Sequence, residues 1–147
     1  MRMRKSGFSL VELLIAITVI GIMAAAVVFA GGPDKARRVT AIKSIDALYQ
    51  AGKGYIEPGQ LTYAGISVDA LKTAGLLPNN FAPTASNPWG GDYSVAVDGS
   101  DSTRFVVTLT EVPDAATATK LSNAIGPKAY ADPTYNDATR NWSVTFK

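Results

Sequence analysis

Two hydrophobic patterns follow one another along the first 55 residues of this chain. From Phe8 to Ala30 the sequence reads FSLVELLIAITVIGIMAAAVVFA, apolar on every side of a helix, with Glu12 as its one charge. A helix of that length extends about 35 Å, enough to cross a hydrocarbon core of roughly 30 Å. Gly31-Gly32-Pro33 interrupts it, because glycine is a poor helix former and proline lacks a backbone donor. Asp34 then favours a new helix start. Ala36, Val39, Ile42, Ile45 and Tyr49 recur at three- and four-residue spacing, which predicts an amphipathic helix to about Tyr55. Lys35, Arg37, Arg38, Lys43, Asp46 and Lys53 mostly take its other, solvated face. The break reads equally as a passive kink or as a point where the helix melts.

Beyond it the pattern shortens. Glu57-Pro58-Gly59 is a turn, and Ser67 to Gly75 reads as a short helix with Ser67 as N-cap and Gly75 as its stop. Pro78 to Gly91 is loop-like. Strands are expected at Tyr93–Val97 and Arg104–Thr110, joined by the hairpin signal Asp98-Gly99-Ser100-Asp101-Ser102. Pro113 and Asp114 open a helix that ends near Ile125-Gly126, and a loop from Pro127 to Asn141 leads into a terminal strand, Trp142–Phe146. The expected fold is α+β, a long N-terminal helix packed on a small antiparallel sheet.

Composition narrows the chemistry. The 147 residues include no Cys and no His, so there is no disulfide, no thiolate metal site and no histidine base. No Ser, Lys or carboxylate constellation resembles a catalytic site, and the chain reads as a non-enzyme without a cofactor. The net charge of +2 is unevenly placed: Arg2, Arg4 and Lys5 precede the apolar run, Glu12 lies in it, and from Asp34 onward eleven basic residues face eleven acidic ones. That balance is not the footprint of a nucleic-acid-binding domain. Asp98 and Asp101, with Asp92 nearby, offer oxygen ligands of the kind calcium takes, yet two Asp in a Gly/Ser hairpin more often form the turn itself; Asp132 and Asp137 read the same way, and no metal site is assigned. Trp89 and Trp142 are expected in the core, while Tyr130 and Tyr135, in the late loop, are candidates for an exposed contact surface.

The apolar run has two readings. A cleaved secretory signal accounts for the basic MRMRK start, the apolar stretch and the small residues from Ala24 to Ala30. It leaves Glu12 unexplained, since a carboxylate at the centre of a membrane helix costs roughly 2.5–3.5 kcal/mol. A membrane span with the basic N-terminus held in the cytoplasm gives that carboxylate a functional place.

The stretch KSGFSLVELLIAITVIGIMAA resembles the N-terminal signature of type IV prepilins and pseudopilins: a basic leader, a Gly, an aromatic residue, then Glu at the fifth position after the Gly, then an apolar run. The resemblance implies that a prepilin peptidase cuts between Gly7 and Phe8 and that the new Phe8 amine is methylated. It divides the chain into a leader of residues 1–7, an apolar membrane and assembly helix of 8–33, and a globular domain of 34–147. In a filament of such subunits, Glu12 buried among apolar helices needs a counter-ion. The Phe8 ammonium of a neighbouring copy can supply it and set the axial register. Gly31, Gly32 and Pro33 would be the hinge.

Further along, Asn87-Pro88-Trp89-Gly90-Gly91 before Tyr93-Ser94-Val95, a second strand, then Val112-Pro113 and a helix with Lys120-Leu121, is similar to type IVb pilins, particularly those of conjugative thin pili. In that subgroup a Cys near the position of Ala118 usually pairs with one close to the C-terminus; this chain has neither. The short leader is closer to type IVa, although Phe29 stands where that subgroup usually has its helix proline. The resemblance implies a homopolymeric pilus subunit. It would enter the inner membrane as a single-pass precursor and reach an extracellular filament through the pilus assembly machinery, with no nucleic acid required. A minor pilin or a type II secretion pseudopilin, and a membrane-anchored receptor for DNA or a surface ligand, are the alternatives.

Overall fold

The computed structural model describes the backbone of residues 10–56 and 60–147, with side chains described from residue 32 onward. The expected turn at 57–59 lies outside the described residues. The chain divides into two compact units, Met1–Ala36 and Arg37–Lys147.

The first element, α1 (Leu10–Tyr55), is helical throughout except at Gly32, whose φ of 58° and ψ of 162° break it immediately before Pro33. Proline explains the ψ, since its ring excludes the helical conformation from the residue before it. Glycine explains the φ, which lies in the region that side-chain-bearing residues avoid. Among the described residues no atom lies within 4 Å of where a Cβ of Gly32 would be, so the backbone conformation is what requires a glycine there.

In the second unit, α2 (Val68–Thr73) is capped by Ser67, whose side chain accepts from the Ala70 N–H, and Gly75 follows its end at φ 71°. Strands β1 (Tyr93–Val97) and β2 (Phe105–Leu109) form an antiparallel hairpin, α3 (Ala115–Ile125) starts at the N-cap Asp114, and β3 (Ala131–Asn136) and β4 (Asn141–Phe146) complete a sheet of order β1-β2-β4-β3. Every neighbouring pair is antiparallel, with Phe105 opposite Phe146 and Leu109 opposite Trp142. The α+β architecture is the one expected from the sequence.

One face of the sheet is buried. Tyr93, Val95, Phe105, Val107, Leu109, Trp142, Val144 and Phe146 alternate with outward residues along their strands and are all at most 5 % exposed. Both longer helices cover that face: Tyr49 of α1 stacks on Phe146 at 4.7 Å between ring centroids, and Ser122 of α3 accepts a hydrogen bond from Trp142 Nε1 at 3.0 Å. The outward rows are uncharged on three strands, Ser94–Thr108–Ser143 and Ala96–Val106–Thr145.

Three sequence expectations are corrected. Within α1 the buried positions are Ala41, Ile45, Leu48 and Ala51, while Ile42 and Tyr49 are only partly buried and Ala36 and Val39 face outward. The stripe starts about one turn later than the spacing suggests, because the sheet begins to cover the helix only there. The stretch from Pro127 to Asn141 is not a loop: a 3-10 turn at Gly126–Lys128 precedes β3. That strand escapes a pattern reading because Pro133 sits inside it, and proline is tolerated on an edge strand or at a bulge; the register shifts between Ala131 and Thr134. Tyr135 accordingly belongs to a strand and is half-buried, whereas Tyr130 is exposed. Of the two tryptophans, Trp142 is fully buried, and Trp89 is only partly buried against the core.

Small residues let α1 approach the sheet. A Cβ built on Gly52 would collide with the Phe105 ring, which is fully buried and held by Tyr63 at 4.7 Å and Phe146 at 5.4 Å. Among the described residues, a Cβ on Gly54 would meet only the tip of Leu76, at 3.0 Å, on a side chain that is 37 % exposed. The 34–147 fragment should therefore fold as a soluble, cooperative monomer with a melting temperature indifferent to reductant. Within it, Gly52→Ala should destabilise by about 1–3 kcal/mol through overpacking, despite a gain of roughly 1 kcal/mol in helix propensity. Gly54→Ala should be neutral or slightly stabilising. Thermal unfolding followed by circular dichroism checks all three, and equal melting temperatures for the two variants would refute the close-approach account.

Candidate functional site: the N-terminal helix and the surfaces of the globular unit

The residues that the sequence singles out most sharply lie in the N-terminal unit. Gly7 and Phe8 lie outside the described residues. Glu12 falls within α1, where the backbone is described and the side chain is not. Gly31 is helical, Gly32 carries the break, and Pro33 begins the second helical stretch. Among the residues with described side chains no helix is long and apolar enough to cross a membrane, and the apolar run of residues 8–30 precedes them.

In the globular unit the aspartates of the hairpin act on their own backbone. Asp98 accepts from the Ser100 N–H at 2.8 Å, and Asp101 accepts from the Thr103 N–H and hydroxyl at 2.9 and 2.6 Å and pairs with Arg104 at 2.9 Å. The Thr103 hydroxyl and N–H hold the Asp101 carboxyl below its ordinary range. Asp92 accepts from the Ala85 N–H at 2.7 Å, which fixes a residue with φ of 49°. Among the described residues no three acidic, His or Cys side chains gather as metal ligands.

A second acidic region surrounds Tyr135. Its hydroxyl donates to the Val112 carbonyl at 3.0 Å, and burial followed by the nearby Asp137 pushes its pKa up. Asp114 caps α3 through the Thr117 N–H at 2.6 Å, and that bond lowers its pKa. Glu111, at φ 59°, pairs with Arg140, at φ 54°, across 3.1 Å. These contacts close the chain ends of β2, α3 and the β3–β4 turn on one another; they leave no proton-transfer pair or nucleophile beside a base.

Tyr130 carries the cationic end of the unit. The Arg104 guanidinium lies 3.8 Å from its ring centroid and the Lys147 ammonium 5.7 Å from it. Stacking of this kind holds an exposed aromatic in one orientation.

Asn87 is the feature that sequence reasoning did not single out as a structural centre, although it lies in the quoted Asn87–Gly91 motif. It is 4 % exposed, and its side chain is bonded at both ends. The amide donates to the Thr110 carbonyl at 2.7 Å, and its oxygen accepts from the Trp89 and Gly91 N–H groups at 3.0 and 2.9 Å. Asp92 N–H in turn donates to the Thr110 hydroxyl at 2.8 Å. A Cβ on Gly91 would clash with the Thr110 carbonyl, so the two strands meet here with no room for a side chain. An Asn followed by Pro, Trp and two glycines was the available signal, since an amide side chain can both donate and accept within such a turn.

Comparison with known proteins bears on both units. Residues 2–28 match the family described as the prokaryotic N-terminal methylation motif, and residues 35–138 match the family described as PilS N terminal. The chain is 30 % identical over 120 residues to the type II secretion system core protein G of Vibrio cholerae serotype O1, covering 74 % of this chain and 82 % of that protein. No solved structure matches it.

The Asn87 turn gives a direct test. Asn87→Ala should destabilise the globular unit by about 2–4 kcal/mol, because it leaves a buried carbonyl and two N–H groups without partners. Urea unfolding of the wild type and the variant measures it. A loss below about 0.5 kcal/mol, the range of an ordinary surface change, would show that the turn holds without the amide.

Proposed function

The chain belongs to the type IV pilin family, and we propose that it is the structural subunit of a type IV pilus, polymerised through its N-terminal apolar helix. The observation that carries this reading is a conjunction. A methylation-motif match covers the leader, Gly7, Phe8 and Glu12, and a PilS match covers most of a helix-on-sheet domain. The matched families are of structural subunits, and no catalytic constellation among the described residues speaks against that.

On this reading the basic leader holds the N-terminus in the cytoplasm while residues 8–30 span the inner membrane. Prepilin peptidase cuts between Gly7 and Phe8, and the assembly machinery then lifts the subunit into an extracellular filament. A second copy of the chain is the partner that matters. Glu12 pairs with the Phe8 ammonium of a neighbour, and Gly31, Gly32 and Pro33 form the hinge between the assembly helix and the globular domain. The pairing sets register more than stability, because a buried ion pair returns little over its desolvation while a broken one costs about 3–5 kcal/mol.

One observation favours a second reading. The similarity to the type II secretion core protein G supports a pseudopilin that builds a short periplasmic filament. The two separate on where the polymer is found: abundant filament in material sheared from cells supports the pilus, and its absence with a functioning secretion system supports the pseudopilin.

Mass spectrometry of filament material should show a chain that begins at Phe8 with a methylated amine, and a mature chain beginning near Gly31 would restore the secretory-signal account. Glu12→Gln keeps size and helix propensity but removes the charge, so membrane-held, processed subunit should stay at wild-type levels while filament yield falls sharply. Glu12→Leu should behave the same way despite its better packing, which separates pairing from hydrophobicity. Normal filament yield from both variants would refute the pairing role.

A further inference from the structure

We propose that Lys35, Arg37 and Arg38, with Lys43 further along α1, form a collar that binds the anionic phosphodiester headgroups of the membrane surface from which the globular unit emerges. The inference rests on the membrane-inserted reading above and adds a lipid site to it.

Charge distribution is the first ground. Between Asp34 and Tyr55 there are five basic residues and two acidic ones, whereas from Ile56 to the last residue there are six basic and nine acidic. The globular unit as a whole is neutral, so the basic excess is a property of α1. One of its two acidic residues, Asp46, is already engaged by Lys128 of the 3-10 turn.

Geometry is the second. Past Pro33 the helix is continuous, and at about 100° per residue positions 35, 37 and 38 point to three different sides of it within a single turn. Basic side chains spread around a helix in this way suit a surface that surrounds the helix on all sides. Lys43 is exposed, and Val39 between the basic positions is 43 % exposed although it is aliphatic. Basic residues interleaved with exposed aliphatic ones are the composition of segments that lie at a membrane interface.

Depth is the third. Counted in sequence, Lys35 is five residues and Arg38 eight residues past Ala30, the end of the apolar run. The headgroup layer is roughly 5–7 Å thick on each side of the hydrocarbon core, and long basic side chains reach back several ångströms. Only a few residues separate the basic positions from the end of the apolar run. Processing raises the importance of this end: removal of residues 1–7 takes away Arg2, Arg4 and Lys5, so Lys35, Arg37 and Arg38 become the basic side chains that flank the span. Each is worth roughly a five-fold gain in partition to an anionic surface, falling off within a Debye length of about 8 Å at physiological salt.

The absence of cysteine in the chain permits a single-site probe. The Phe8-initiated chain with Val39→Cys, carrying an environment-sensitive dye, is reconstituted into nanodiscs of phosphatidylcholine alone or mixed equally with phosphatidylglycerol. The collar predicts blue-shifted, stronger emission in the anionic discs. The shift should be lost in about 0.5 M salt, where screening is nearly complete, and lost in the K35Q/R37Q/R38Q variant at low salt. Identical emission in both lipids, with the chain incorporated in both, overturns the collar and leaves the membrane reading intact. Failure to incorporate in either composition overturns both. Inorganic phosphate or glycerol phosphate reproducing the shift in phosphatidylcholine discs would assign the site to soluble phosphate. A shift that follows the number of copies per disc, and not the lipid, would assign the basic residues to a second copy of the chain. Either result removes the lipid assignment.

Discussion

The globular unit depends on one strand arriving between two others. Strand β4 is the last element of the chain, yet it lies inside the sheet, between β2 and β3. Its inward residues Trp142, Val144 and Phe146 are at most 2 % exposed, and Phe146 is clasped between Phe105 of β2 and Tyr49 of α1. Without β4 the β1–β2 hairpin and β3 share no ladder, and α1 loses the ring its Tyr49 packs on. The close approach at Gly52 follows from the same stack, since Phe105 cannot retreat while Tyr63 and Phe146 hold its faces.

This arrangement also accounts for how a chain without cysteine secures its C-terminal strand. Pilins similar to it in motif commonly tie the helix at the Ala118 position to the strand by a disulfide. Here Ala118 is itself buried in the core, and one turn further on Ser122 receives the Trp142 indole N–H. Lys53 adds a bond from α1 to the backbone carbonyl of Lys147 at 3.2 Å. A disulfide of ordinary loop length constrains the unfolded chain by about 2–4 kcal/mol. The fully buried Trp142 and Phe146 side chains, at about 1.5–3 kcal/mol each on burial, are of the same order. Packing can hold the strand, provided nothing disturbs it.

What was legible in the sequence was whatever rested on local rules. Ser67 and Asp114 announced their helices because a cap is a one-residue device, and the hairpin and β4 followed from alternation between turn residues. The break at Gly32-Pro33 was legible for the same reason. What escaped was set by tertiary context. Strand β3 carries Pro133 and an exposed, polar sequence, so only its partner β4 makes it a strand. Where the buried stripe of α1 begins depends on where the sheet's edge lies, which no spacing of Ala36 and Val39 encodes. Asn87 looked like loop composition because its value comes from Thr110, more than twenty residues away. Of the candidate functional residues, Gly32 has a described conformation that explains its identity, while the roles of Gly7, Phe8 and Glu12 rest on the motif they form.

In a subunit inserted as proposed, the two ends of the apolar helix are charged in opposite senses of purpose. On that reading Glu12, near its start, pairs with a neighbour's Phe8 ammonium in the polymer and so favours the polymer. Lys35, Arg37 and Arg38, past its end, would on the proposed collar meet an anionic surface only while the subunit sits in the bilayer, and so would favour the membrane. The two sets therefore oppose one another across the same transfer. On the same reading, leader removal would create the ammonium that Glu12 pairs with and would take away the basic residues at the other end. A subunit retained only by hydrophobic insertion would leave whenever assembly became favourable. One retained also by the proposed collar would leave only when the machinery supplies the difference.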